Sequence, residues 1–217
     1  MVVTIFSLLL LILLSYLMGS IPFSLVIGKI FFKKDIRNYG SGNLGGTNTG
    51  RVLGKKAGFA VMVLDQLKAV IARLIATLFM KNIDANFVNL TVYLCSICVI
   101  LGHCYPIFAK FKGGKAVACT FGILFITNIY VYLITLALYA ALLKFTKYVS
   151  LSSITVFFVS GLMCFIDFFR FSPLLQVKFD IFYPILLLFL SMFIVIKHRS
   201  NISRLQSGTE SKIKWMG

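Results

Sequence analysis

The chain has 217 residues, of which 59% are hydrophobic and 13% charged, about half the charged share of a soluble domain, and its mean hydropathy is +0.96. Twenty-two Lys and Arg face six Asp and Glu, for a formal net charge of +16. That much apolar surface cannot be hidden inside a chain this size, so lipid has to cover it; a soluble domain is excluded, and with it a basic scaffold for nucleic acid.

The first apolar stretch, 2–31, has Lys29 as its first charge and shows neither a basic leader nor a clear small-residue cleavage site, so it reads as a retained first span. Loop 33–56 follows as KKDIRNYGSGNLGGTNTGRVLGKK, glycine-rich and without proline. Structureless loops beyond about 12–15 residues are usually functional or disordered. Here Gly40, Gly42, Gly45 and Gly46 let backbone N–H groups converge on a small anion, Ser41, Asn43, Thr47 and Asn48 add donors, and Arg51 adds a planar fork for phosphate or carboxylate. A plain flexible loop is the bland alternative. The formal GxGxxG at Gly40, Gly42 and Gly45 is not a dinucleotide fingerprint, because the preceding 33–39 is charged rather than a buried strand.

The second stretch, 57–80, carries Asp65 and Lys68 three residues apart; they either neutralise each other in the bundle interior or act directly. The third, 87–107, closes on His103-Cys104-Tyr105-Pro106 and leads into Phe111-Lys112-Gly113-Gly114-Lys115. A Gly-Gly-Lys turn opening a helix offers N–H groups, a positive dipole end and an ammonium, or else it is only a basic interfacial anchor. It is not a Walker A loop, since Ala109 stands where a glycine is required and Ala116 follows the lysine. Cys95 and Cys98 with His103 and Cys104 have metal-like spacing, but in an apolar span cysteines read as packing residues. The five cysteines are odd in number and lie in or beside apolar stretches, which excludes a secreted disulfide framework.

The fourth stretch, 114–145, would be about 45–48 Å long as one helix, too long for a hydrocarbon core of about 30 Å. Thr127-Asn128 at its middle suggests two short helices instead. The fifth and sixth stretches are 151–169 and 181–196. Ser150, Ser152 and Ser153 stand where one of them starts, as helix caps or ligand donors. The tail then runs Lys197-His198-Arg199-Ser200-Asn201-Ile202-Ser203-Arg204, with His198 and Asn201 on one face if helical, or as a polybasic lipid contact.

Charge decides the topology. With the fourth stretch split there are seven spans. Loops 33–56, 108–115 and 144–150 and the tail then share one side and hold sixteen basic residues, against Lys81, Arg170 and Lys178 on the other. Without the split the two sides are nearly equal. The expected fold is all-α: one polytopic integral membrane domain over 1–217 with about seven transmembrane helices, two of them short. Its N-terminus is outside and its C-terminus cytoplasmic. All three polar constellations fall on the cytoplasmic face, where Asp35 and Glu210 are the only carboxylates. Phe108 and Ser203, five residues after each histidine, exclude an HxxxxD acyltransferase. The chemistry expected is phosphate handling with no cofactor, no metal ion and no carboxylate base.

The segments GSIPFSLVIGK (19–29), GSGNLGGTNTGRVLGKKAG (40–58), GHCYPIFAKFKGGKAVA (102–118), YVSLSSI (148–154) and KHRSNISRLQSGTE (197–210) resemble, in order, the bacterial membrane acyl-phosphate:glycerol-3-phosphate acyltransferases. Departures are mild: Gly46 stands where that family usually has Ala, Tyr105 often Phe and Cys119 often Thr. The resemblance implies transfer of a fatty acyl group from acyl phosphate to the 1-hydroxyl of sn-glycerol 3-phosphate in the bacterial inner membrane. It implies Lys115, His198 and Ser41 as catalytic, with Arg51, Asn201, Asn43, Thr47, Asn48, Gly42, Gly113, Gly114 and Ser150 binding substrate. Its partners would be the two substrates, membrane lipid and the enzyme that makes acyl phosphate, and no nucleic acid. His198 would take the hydroxyl proton or only hydrogen-bond a phosphate. The competing class is a carrier or channel for a phosphorylated metabolite, which would need access from both faces. A scaffold held by polybasic loops leaves the Ser, Asn and Thr of loop 33–56 unexplained.

Overall fold

A computed structural model describes residues 1–213, in two compact units divided after Ile123; Lys214, counted above with the basic tail, lies outside the described residues. In the first unit, α1 (Val2–Gly19) and α2 (Phe23–Phe32) divide the stretch expected as one span. Pro22 is the cause: it lacks an N–H and drives Ile21 out of helical geometry. Its carbonyl then opens α2 by accepting the Leu25 N–H at 2.8 Å. Next come α3 (Gly46–Leu53), α4 (Lys55–Ile83) and α5 (Val88–Cys104). α1 packs on α5 and α4. A Cβ on Gly19 would strike the Val99 carbonyl, and one on Gly102 the Tyr16 carbonyl, so the two backbones touch where no side chain fits. α4 turns Asp65, Lys68, Ala69, Ala72, Arg73, Ala76 and Thr77 inward at helical spacing.

α6 (Val117–Thr127) ends at Asn128, which caps α7 (Ile129–Thr146): its Oδ1 accepts the Tyr130 and Val131 N–H groups at 2.9 and 3.1 Å. The fourth stretch is thus two helices, broken at the polar pair that the sequence marks. In the second unit α7 packs on α8 (Val149–Met163), and α8 on α9 (Phe182–Lys197). The Thr135 and Ser160 hydroxyls meet at 2.6 Å across the α7–α8 seam. α8 stops short of the expected 169, and between α8 and α9 the chain forms one small antiparallel pair, β1 (Phe171–Ser172) with β2 (Val177–Lys178). Ser172 and Asn128 hold that hairpin: the Ser172 hydroxyl donates to the Ile126 carbonyl at 2.8 Å, and Asn128 Nδ2 to the Phe171 carbonyl at 2.8 Å. α9 then bends by 62° into α10 (Arg199–Gln206).

The surface is the reverse of a soluble protein's. Leu9, Leu13, Phe31, Phe79, Phe158 and Phe189 are exposed, while Ser15, Thr77, Thr91, Ser96, Ser152 and Ser191 are buried. Hydroxyls of Thr77, Thr91, Ser96 and Ser191 donate to carbonyls four residues back, satisfied within their own helix as an apolar solvent demands. Among the described residues, Val2–Phe32, Ala85–Ala109 and Ile129–Thr146 are apolar and long enough to cross a membrane, and the bent α9–α10 pair could make a fourth. α6 and α8 are shorter, about 17 and 22 Å.

Candidate active site

In the first unit the glycine loop is built around one amide. Asn48, 2% exposed, accepts the Ser41 N–H on Oδ1 at 2.9 Å and donates from Nδ2 to the carbonyls of Tyr39 (3.1 Å) and Asn43 (3.2 Å). To close around it, Gly40 and Gly42 adopt φ of +59° and +68°, which glycine tolerates and other residues resist. Thr49 ties this loop down, donating to the Gly45 carbonyl at 3.1 Å and meeting the Ser24 hydroxyl of α2 at 2.6 Å. Beneath it Leu25, Ile36, Leu44 and Ala109 form a buried apolar floor. The outcome leaves Ser41 exposed on the crest, with Gly42 and Asn43 half-buried beside it. Thr47 and Arg51, four residues apart on α3, share one helix face.

Asp35 caps the short turn at Ile36–Asn38 and grips Arg37 through Nε at 3.0 Å and an Nη at 2.6 Å. The guanidinium of Arg37 holds this carboxyl down to about 2, so Asp35 is a poor general base near neutrality.

The Gly-Gly-Lys turn folds back on His103. The Gly114 N–H donates to the His103 carbonyl at 3.0 Å; a Cβ on Gly113 would strike that carbonyl, and one on Gly114 the imidazole ring. Leu44 N–H reaches the Gly113 carbonyl at 3.5 Å, which brings the first and second motifs together. Lys115 sits half-buried between the glycine pair and Ala116, whose φ of +70° stores strain of about 1 kcal/mol or more for a non-glycine residue. The Ala116 carbonyl accepts the Thr120 N–H at 2.9 Å, so Lys115 lies just before the positive end of α6. Below the turn, Asp65 Oδ1 meets Lys68 Nζ at 2.7 Å and His103 Nδ1 at 3.4 Å. The sequence showed the Asp65/Lys68 pair but not that His103 joins it.

In the second unit the organising group is Glu210. Its Oε1 accepts from Ser150 Oγ at 2.9 Å and Asn201 Nδ2 at 2.6 Å, and its Oε2 from Arg204 Nε at 2.8 Å. Burial alone would raise this carboxyl, but the bonds from Asn201, Arg204 and Ser150 outweigh it and hold it below the usual range. Ser150 and Asn201, expected to contact substrate, are therefore brought together through a carboxylate. A carboxylate nine residues past Asn201, beyond the Gly208 turn, was the available signal. His198, 3% exposed, sits at the α9–α10 bend with Nδ1 2.8 Å from the Ile194 carbonyl. A carbonyl only accepts, so Nδ1 carries the hydrogen, and in the neutral ring Nε2 holds the lone pair. Among the described residues no three His, Cys, Asp or Glu side chains come together as metal ligands.

Residues 9–208 match the family model described as glycerol-3-phosphate acyltransferase. The chain is 43% identical over 210 residues to a glycerol-3-phosphate acyltransferase of Listeria monocytogenes serotype 4a, covering 97% of this chain and 98% of that one. It is 42% identical to the one from Geobacillus kaustophilus, covering 96% and 97%. Among solved structures it resembles PlsY (YgiH), an integral membrane glycerol 3-phosphate acyltransferase, in its glycerol 3-phosphate form. That match has a TM-score of 0.82 at 35% identity, covering 95% of this chain and 96% of that one. Against the lysophosphatidic acid form the TM-score is 0.77 at 36% identity, covering 95% of each chain.

Proposed function

The chain belongs to the glycerol-3-phosphate acyltransferase family, and on that premise we propose that it moves a fatty acyl group from acyl phosphate to the 1-hydroxyl of sn-glycerol 3-phosphate. The hydroxyl oxygen attacks the acyl carbonyl carbon and forms the ester. The bond from that carbon to the phosphate oxygen breaks, and inorganic phosphate leaves with the electron pair. The products are lysophosphatidate and phosphate.

The observation that supports this reading most is the Gly-Gly-Lys turn before α6, bound through Leu44 to a glycine loop that exposes Ser41. Acyl phosphate is already activated, so no strong protein nucleophile is required. Two anionic substrates have to be held together against their repulsion, and the charge growing on the carbonyl oxygen stabilised. Lys115 and Arg51 line the glycerol 3-phosphate and phosphate pocket and supply the positive charge for that task there, and Ser41 donates to phosphate. Thr47 sits by the acyl-phosphate head group. His198 takes one of two roles: Nε2 accepts the hydroxyl proton, or the ring only hydrogen-bonds phosphate while substrate phosphate serves as the base. His198→Gln separates them, because near-normal turnover eliminates His198 as the base. The protein works as a multi-pass protein of the bacterial inner membrane with seven spans, its polar loops on the cytoplasmic side, as the distribution of Lys and Arg supports.

The test uses purified protein with acyl phosphate. Phosphate release that depends on added glycerol 3-phosphate is expected, and uptake of a phosphorylated metabolite into vesicles without release would contradict it.

A further inference from the structure

The reaction above gives no task to the charged cluster of Asp65, Lys68 and His103, each less than a tenth exposed. Charge at such depth in a lipid-covered protein is costly unless it serves a purpose. Contacts of His103 and Asp65 lead to the chain on either side of Lys115. On the N-terminal side of that lysine, the His103 carbonyl holds the Gly114 N–H at 3.0 Å and the imidazole face lies where a Gly114 side chain would be. The same ring reaches Asp65 Oδ1 through Nδ1 at 3.4 Å. On the C-terminal side, the Cys119 thiol of α6 donates to the Asp65 main-chain carbonyl at 3.3 Å, and Gly122 presses on the Gln66 carbonyl with no room for a Cβ. Lys68 completes the frame, bonding Asp65 at 2.7 Å and the Ile21 carbonyl at the α1–α2 break at 2.9 Å.

We infer that Asp65, Lys68 and His103 are positioning residues that set where Lys115 stands, by fixing the chain on both sides of it to the same turn of α4. They touch no substrate. His103 bears on the turn before the lysine, the Asp65 carboxylate holds the His103 ring while the Asp65 main-chain carbonyl takes the helix after the lysine, and Lys68 locks Asp65 to the broken first segment. This rests on reading Lys115 as a phosphate-binding residue for glycerol 3-phosphate, so the experiment treats the two separately.

His103→Gln, Asp65→Asn and the conservative Lys68→Arg are purified in detergent, and KM for each substrate is measured beside kcat. A displaced Lys115 weakens glycerol 3-phosphate selectively: its KM rises about tenfold or more in His103→Gln and Asp65→Asn, the acyl phosphate KM stays near wild type, and Lys68→Arg retains both. Helices merely stapled by the cluster would give fewer active molecules, a lower apparent kcat and unchanged KM values, and that result in His103→Gln overturns the inference even if Asp65→Asn does not fold. Lys115→Ala tests the premise: loss of transfer upholds it, and retained transfer removes the site reading together with the positioning role.

Discussion

Replacing Asn48 by Ala isolates the claim that one buried amide shapes the glycine loop. The change removes three hydrogen bonds, at 2.9 Å from the Ser41 N–H and at 3.1 and 3.2 Å to the Tyr39 and Asn43 carbonyls. Each is worth about 1 kcal/mol net. Water can replace part of that at the exposed crest, so local closure of the loop should weaken by about 2 kcal/mol, or roughly 30-fold in its opening equilibrium. Hydrogen–deuterium exchange in detergent reads this directly: the segment 39–45 should exchange roughly 30-fold faster than in wild type, while peptides from α5 stay unchanged. Activity should fall with it, because Ser41 and Asn43 ride on that loop. Asn48→Asp sharpens the test, since it keeps the acceptor for Ser41 but turns an oxygen on two carbonyls. Unchanged exchange over 39–45 in Asn48→Ala would refute the reasoning, and if activity were lost all the same Asn48 would be a substrate ligand rather than a brace.

Gly102→Ala forces a methyl into the Tyr16 carbonyl at the α1–α5 contact; overpacking of this kind costs about 1–3 kcal/mol, so the melting temperature should drop by several degrees with both KM values unchanged. Asn128→Ala removes the α7 cap and the bond to the Phe171 carbonyl, and should cost about 1–2 kcal/mol, seen as a lower thermal midpoint and faster proteolysis between α6 and α7. Glu210 has a folded-state pKa below its unfolded value, so its contribution is present above the unfolded pKa and is lost as pH falls through the folded one. Acidification below about pH 4.3 should therefore loosen α10 in wild type, and Glu210→Gln, already loosened at neutral pH, should lose less further stability over that window.

Membrane residence was legible from composition, because no internal packing could absorb so much apolar surface. The break at Asn128 was legible for a local reason: a residue that caps a helix with its side chain marks a boundary even inside an apolar run. The same reasoning applied to Pro22, which breaks the helix inside a stretch that remains apolar and long enough to be one span from Val2 to Phe32. The three polar motifs stood out by residue type. What the sequence hid were contacts between distant segments. Asn48 and Thr47 look alike as donors, and only the fold shows Asn48 facing inward. Glu210 looked like an isolated acid in a basic tail, although it gathers Ser150 from sixty residues away with Asn201 and Arg204. His103 is an ordinary histidine near a helix end until the turn after Pro106 brings Gly114 back onto it.

The measurement that bears most directly on the function is donor choice by purified protein with labelled glycerol 3-phosphate. Lysophosphatidate is expected with acyl phosphate as donor, one phosphate released for each ester made, and none of this in Lys115→Ala. Lysophosphatidate formed equally well from an acyl thioester, or glycerol 3-phosphate left unacylated with acyl phosphate present, would contradict it.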